Sequence, residues 1–174
     1  AAARGWENRP AVAVGNLPYY ITSQCLFHLL ETPLPWRRMV FLVQREVAAR
    51  ITAPPGNKDY GVLSVMIRYR TVPRVVAVLP PSVFWPPPKV YSALLRLDLP
   101  GRFPPLSPAE EGIFTGLVKA AFGQRRKTLA NACRAWASGL GLEEEFVAVC
   151  RQADIDPGRR GEELSVEEFI RLAQ

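Results

Sequence analysis

Asn16, Leu17, Pro18 and Tyr19 follow a short Val-rich run, AVAVG at residues 11–15. Such a run, ending in Gly-Asn, predicts a buried strand of a parallel sheet. Open α/β sheets bind ligands beyond the carboxyl ends of their strands, and the tetrapeptide stands at that point. Its residue types suit one chemical demand. The exocyclic amine of adenine is a poor nucleophile because its lone pair is delocalised into the ring. Two acceptors, the side-chain oxygen of Asn16 and the carbonyl of Leu17, can take its protons and bias it towards tetrahedral geometry. Pro18 removes a donor and stiffens the turn. Tyr19 can stack on an extruded base. The amine would then attack an electrophilic methyl in line, by positioning and electrostatics rather than through a general base. An ordinary strand-to-helix turn also favours Asn and Pro, so the tetrapeptide alone leaves both readings open.

Composition narrows the chemistry. A single histidine, His28, argues against a His-based metal cluster and against a Ser-His-Asp triad. Three cysteines, Cys25, Cys133 and Cys150, have no close pairing in sequence. They argue against a disulfide framework or a Cys-rich zinc site and suit a reducing cytoplasm. No run of 18 apolar residues occurs, so no transmembrane helix is expected. The opening AAARGWENRP has no signal-peptide pattern and no initiator Met, so the chain is expected to begin mid-protein.

Charge and proline are polarised along the 174 residues. Residues 1–103 carry 13 Lys/Arg against 5 Asp/Glu, whereas residues 104–174 carry 9 against 11. A basic front segment points to a polyanionic partner. Fifteen of the 17 prolines precede residue 106, which marks the two segments as differently built. The boundary is expected near Phe103-Pro104-Pro105, with domains at 1–103 and 104–174.

The elements that must position the tetrapeptide follow from periodicity. Helices are predicted at 23–31, capped by Thr22 or Ser23, and at 44–51; a second strand is predicted at 38–43. The segment 60–69 has strand-like β-branched content but helix-like placement, and helix is preferred. Strands are predicted at 75–79 and 90–97, joined by a loop with five prolines at 80–89. The tail reads as all helix, with Ser107 capping the first helix and Ser165 forming a capping box with Glu168. Strand–helix alternation followed by a helical tail gives an α/β class with a small all-α domain.

Five ordered stretches resemble the ribosomal-RNA adenine dimethyltransferase family of the small-subunit type. They are VGNLPYYITS, FLVQREVAARITAPPGNKDYGVLSV (41–65), LPPSVFWPPPKVYSALLRLD (79–98), AAFGQRRKTLANA (120–132) and RGEELSVEEFIRLA (160–173). The resemblance implies the C-terminal part of a Rossmann-like S-adenosylmethionine-dependent methyltransferase sheet, followed by a small helical domain. It implies that Asn16 holds the target amine and borders the cofactor, with the Leu17 carbonyl as second acceptor and Pro18 shaping the turn. Tyr19 would flank the target adenine and Phe84 would stack on its other face, held by the stiff proline-rich loop at little entropic cost. Trp85 is assigned to packing or the rim. Lys89 is divided between RNA phosphate and solvent. Arg125, Arg126 and Lys127 resemble a segment that contacts rRNA backbone, against the alternative of a solvated helix end. Glu46 is given structural hydrogen bonds.

The family's Gly-rich cofactor turn and ribose-binding acid have no counterpart ahead of the first strand. The resemblance therefore implies a fragment that lacks most of the S-adenosylmethionine site, is inactive alone, and exposes its first strand as an apolar sheet edge. The implied parent dimethylates two adjacent adenosines in the 3′-terminal hairpin of small-subunit (16S) rRNA, with the 30S pre-ribosomal particle as partner and a role in small-subunit biogenesis. No metal or membrane is involved. Two other readings stay open: a large-subunit rRNA methylase of the antibiotic-resistance type, and a non-catalytic RNA-binding or ribosome-assembly module.

Overall fold

The structure, a computed structural model, describes residues 9–174. The chain forms two compact units. One comprises Ala1–Thr52 with Ile67–Arg102, the other Ala53–Met66 with Phe103–Gln174. The second unit thus takes residues 53–66 from the front half of the chain. Charge and proline content report composition, whereas this loop is placed by its contacts: the Gly56 N–H donates to the Glu162 carbonyl at 2.7 Å.

The first unit holds a four-stranded sheet of β1 (Ala11–Asn16), β2 (Trp36–Gln44), β3 (Val72–Leu79) and β4 (Ser92–Asp98) in the order β1-β2-β4-β3. β1 is parallel to β2, and β4 is antiparallel to both of its neighbours. β1, β2 and β3 therefore all point the same way and end at one edge. Helices α1 (Thr22–Glu31) and α2 (Arg45–Thr52) follow β1 and β2. Helix α3 (Val62–Arg70) occupies the segment whose strand-like composition competed with its position.

Alternation sets the buried face. Met39, Phe41 and Val43 of β2 stand directly opposite Leu97, Leu95 and Ala93 of β4, and all six are buried. These cross-strand pairs are the unit of sheet stabilisation. Ser92 continues β4 as a fully buried polar residue. Among the described residues β1 ends the sheet on one side, with Val12 56% and Val14 76% exposed, which corrects the expected buried strand: a strand with a neighbour on one side only has less to cover it. An unpaired apolar strand edge of this kind is a template for further strand pairing.

The second unit is helical: α4 (Pro108–Gly123), α5 (Leu129–Gly139), α6 (Phe146–Gln152) and α7 (Val166–Arg171). Ser107 and Ser165 both form capping boxes, with Glu110 and Glu168 respectively. Each box satisfies two backbone donors that a helix start would otherwise leave orphaned. Phe114, Leu117, Leu129, Cys133, Phe146, Cys150 and Phe169 are buried here. Tyr60 is also buried; its hydroxyl donates to the Leu164 carbonyl at 2.9 Å, and its ring meets Phe122 edge-on at 5.8 Å.

Candidate active site

Asn16 is the last residue of β1 and is exposed, in register with Leu42 of β2. The Leu17 N–H donates to the Leu42 carbonyl at 3.1 Å, which fixes the peptide plane just beyond the strand. The Pro18 carbonyl is already engaged, accepting from the Ile21 N–H at 3.2 Å and from the Thr22 hydroxyl at 3.0 Å. Thr22 therefore acts as a donor from inside α1, whose N-cap is Ile21 with no side-chain cap bond. The expected cap by Thr22 or Ser23 is corrected on that ground: the hydroxyl points back into the turn instead of accepting from the helix.

Tyr19 is half-buried, and its hydroxyl lies 2.6 Å from the Ser92 hydroxyl. Ser92 opens β4 and is paired with Gln44 on one side and Leu79 on the other. Tyr19 thus reaches past β2 to the strand beside β3. From Leu79 the chain turns through Pro80 and a short 3-10 turn (Pro81–Val83) into Phe84, whose N–H donates to the Pro81 carbonyl at 3.2 Å. Phe84 is half-buried and extended. At ordinary strand spacing β1 and β3 are about 14 Å apart across this sheet. The turn after β1 and the loop after β3 leave from the same edge, and the Tyr19–Ser92 bond carries the first aromatic towards the second.

A cleft of about 330 Å³ opens on the same edge, lined by Gln44, Arg45, Glu46, Lys89, Val90 and Tyr91. The Arg45 N–H donates to the Tyr91 carbonyl at 2.9 Å, and its guanidinium lies over the Tyr91 ring, 5.0 Å from the centroid. Glu46 pairs with Arg50 one turn along α2. Trp85 is 95% exposed. It therefore packs against nothing substantial, and the packing half of its assignment is corrected. Sequence reasoning gave no role to Ser92, Arg45 or Tyr91. Their sole sequence signal is adjacency to the strand ends.

Within the second unit, Arg125, Arg126 and Lys127 line a second concavity with Gly123 and Gln124. Arg125 is committed to its own unit: it pairs with Glu162 at 2.8 Å and donates to the carbonyls of Lys58 at 3.0 Å and Tyr60 at 3.1 Å. Arg126 and Lys127 are exposed.

The ribose of the expected S-adenosylmethionine would take a carboxylate at the strand ends. Of the acids described in the first unit, Asp98 pairs with Arg38 at 2.7 Å and Arg96 at 2.8 Å at the far ends of the strands. Glu31 ends α1, on the way to the start of β2, and Glu46 pairs with Arg50. Among the described residues of the first unit, no acid is therefore placed for a cofactor ribose. Nor do they contain a group of three or more His, Cys, Asp or Glu able to hold a metal. No described helix is long and apolar enough to cross a membrane.

Comparison with known proteins places the chain in a family. The family model described as ribosomal RNA adenine dimethylase matches residues 4–174. A ribosomal RNA small subunit methyltransferase A from Anaeromyxobacter sp. (strain K) is 47% identical over 174 residues, covering 99% of this chain and 59% of the relative. One from Geobacillus sp. (strain WCH70) is 44% identical over 163 residues, covering 93% and 56%. Among solved structures, a dimethyladenosine transferase from Plasmodium falciparum superposes with a TM-score of 0.78 at 23% identity, covering 92% of this chain and 64% of that one. The 23S rRNA methyltransferase ErmE gives a TM-score of 0.65 at 24% identity, covering 95% and 65%. These two structures bear on fold alone, and their fold is that of a partial Rossmann-like sheet. The chain spans a little under three fifths of the length of the curated relatives it matches, and with these matches it belongs to the ribosomal RNA adenine dimethylase family.

Proposed function

We propose that these residues form the adenine-presenting side of an S-adenosylmethionine-dependent rRNA adenine dimethyltransferase. One observation carries the reading: Asn16, Tyr19 and Phe84 emerge on one edge of one sheet, with Tyr19 tethered to Ser92. An extruded adenine enters between the rings of Tyr19 and Phe84. The Asn16 side-chain oxygen and the Leu17 carbonyl accept its two amine protons, so the nitrogen lone pair is no longer spread into the purine ring. Asn16 borders the cofactor's methyl. The other cofactor contacts lie outside the described residues, so the 174-residue chain alone binds S-adenosylmethionine weakly and does not turn over.

The substrate class is small-subunit rRNA, with two adjacent adenosines in the 3′-terminal hairpin as targets and the 30S pre-ribosomal particle as partner. Loop bases are already partly unstacked, which lowers the cost of extrusion. The basic front segment suits this polyanion, with Lys89 as a phosphate contact there and Arg126 and Lys127 as phosphate contacts in the helical unit. Relatives named for the small subunit, at 47% and 44% identity, favour this target over a large-subunit one.

The test is Asn16→Ala in a full-length protein carrying this segment. Methylation of 30S particles should fall by about 10²-fold or more, as when one preorganised polar contact is removed elsewhere, with RNA affinity unchanged. Parallel loss of both would favour the binding-module reading. Preferential methylation of 50S particles by the unmodified protein would favour the large-subunit one.

A further inference from the structure

The cleft beside Arg45 and the bare indole of Trp85 take no part in holding the target adenine, yet they share its edge of the sheet. The cleft is lined by two cations, Arg45 and Lys89, and its one acid, Glu46, is paired with Arg50. Arg45 is held in place at both ends, its backbone by the Tyr91 carbonyl and its guanidinium by the Tyr91 ring. A cation ordered before binding loses less entropy when it meets an anion. Four residues before Lys89, across Pro86-Pro87-Pro88, Trp85 is 95% exposed. A chain of four residues spans at most about 14 Å, so the indole and the ammonium stand within a few nucleotides of each other. Ordered cations alternating with an exposed aromatic are the pattern by which proteins hold single-stranded nucleic acid, phosphates on the charges and bases on the ring.

We propose that the unpaired strand next to the target adenine runs along this edge, with one phosphodiester in the cleft between Arg45 and Lys89 and one neighbouring base stacked on Trp85. This rests on the adenine-presenting role proposed above and adds a site for the flanking nucleotides.

The probe is a fluorescein-labelled RNA hairpin with unpaired adenines in its loop, titrated with the 174-residue chain across a range of salt. The double variant Arg45→Ala/Lys89→Ala should bind about tenfold more weakly, and its log–log salt slope should be shallower by about 0.7, the value for one phosphate contact on a single strand. Trp85→Ala should weaken binding about five- to tenfold with the slope unchanged, and Trp85→Phe should restore most of the affinity. RNA should quench tryptophan fluorescence in the unsubstituted chain, and Trp85→Phe should abolish that quenching. Variants that bind with the same affinity and slope as the parent chain, with quenching intact in Trp85→Phe, overturn the inference and leave the adenine-presenting role standing. Failure of the parent chain itself to bind the hairpin overturns both.

Discussion

The hydroxyls of Tyr19 and Ser92, 73 positions apart in the chain, meet at 2.6 Å. This bond ties the turn after β1 to the start of β4 across the intervening β2. It also holds the Tyr19 ring at its far end. A hydrogen bond with one partner fully buried contributes about 0.5–1.5 kcal/mol net. A double-mutant cycle of Tyr19→Phe and Ser92→Ala, read by urea unfolding of the chain, should therefore give a coupling energy of about 1 kcal/mol. In a full-length protein Tyr19→Phe should lower methylation far less than Tyr19→Ala, because the stacking ring survives. A coupling near zero would mean that the two hydroxyls do not hold each other.

Acid should loosen the helical unit through Glu168. Burial alone would raise its carboxyl, but the Arg159 guanidinium and the Ser165 N–H outweigh that and hold it below its ordinary 4.5. A carboxyl lowered on folding contributes stability above its unfolded value and loses that contribution as pH falls through its folded value. Glu168→Gln keeps the capping-box geometry but removes the charge. It should cost about 1–2 kcal/mol at neutral pH, allowing for partial exposure of the pair. Chemical denaturation at pH 7 and at successively lower pH should show that difference shrinking below about pH 4.5.

Thiol chemistry should single out Cys25. Burial pushes the Cys133 thiol up to about 12, with neighbouring Cys150 adding to it, and pushes Cys150 up to about 11. Both stay protonated near pH 8, and the thiolate is the reactive form. Cys25 is only half-buried. A disulfide-exchange reagent at pH 8 should titrate one thiol quickly in the native chain and all three after unfolding. Fast reaction at Cys133, located by peptide mass mapping, would contradict the packing of α5.

Gly161 should resist even the smallest side chain. A Cβ there would lie 2.9 Å from the Ala121 carbonyl oxygen and 2.9 Å from its Cβ. The Ala121 oxygen is backbone of α4 and cannot swing aside. Gly161→Ala should destabilise by about 1–3 kcal/mol, lowering Tm by roughly 2–4 °C for each kcal/mol, as differential scanning calorimetry would show.

Residue patterns announced some of these features and concealed others, for physical reasons. The existence of a strand at β1, though not its exposure, was legible because a Val-rich run ending in Gly-Asn has few other uses, and the Ser107 cap and the Ser165 capping box were legible because their bonds are local. Helix α3 was legible from its place between a loop and a strand. Ser92 was not, since a serine at a strand start is unremarkable until its partner 73 residues away is known. Arg125 reads as one of three adjacent cations, and only tertiary contacts show its guanidinium spent on Glu162, Lys58 and Tyr60. The membership of residues 53–66 in the helical unit is likewise invisible to composition, because it depends on non-local contacts such as the Gly56–Glu162 bond.

Side chains along a strand alternate with a period of two, so the face that Ser92 occupies is set by its register with the rest of β4. One residue inserted between Lys89 and Ser92 would be absorbed by the loop. One residue inserted after Ser92, with the rest of β4 kept in register, would rotate the serine to the opposite face and release the tyrosine it anchors. A length polymorphism at that point would disarm the proposed nucleobase seat while every residue type that builds it remained in place.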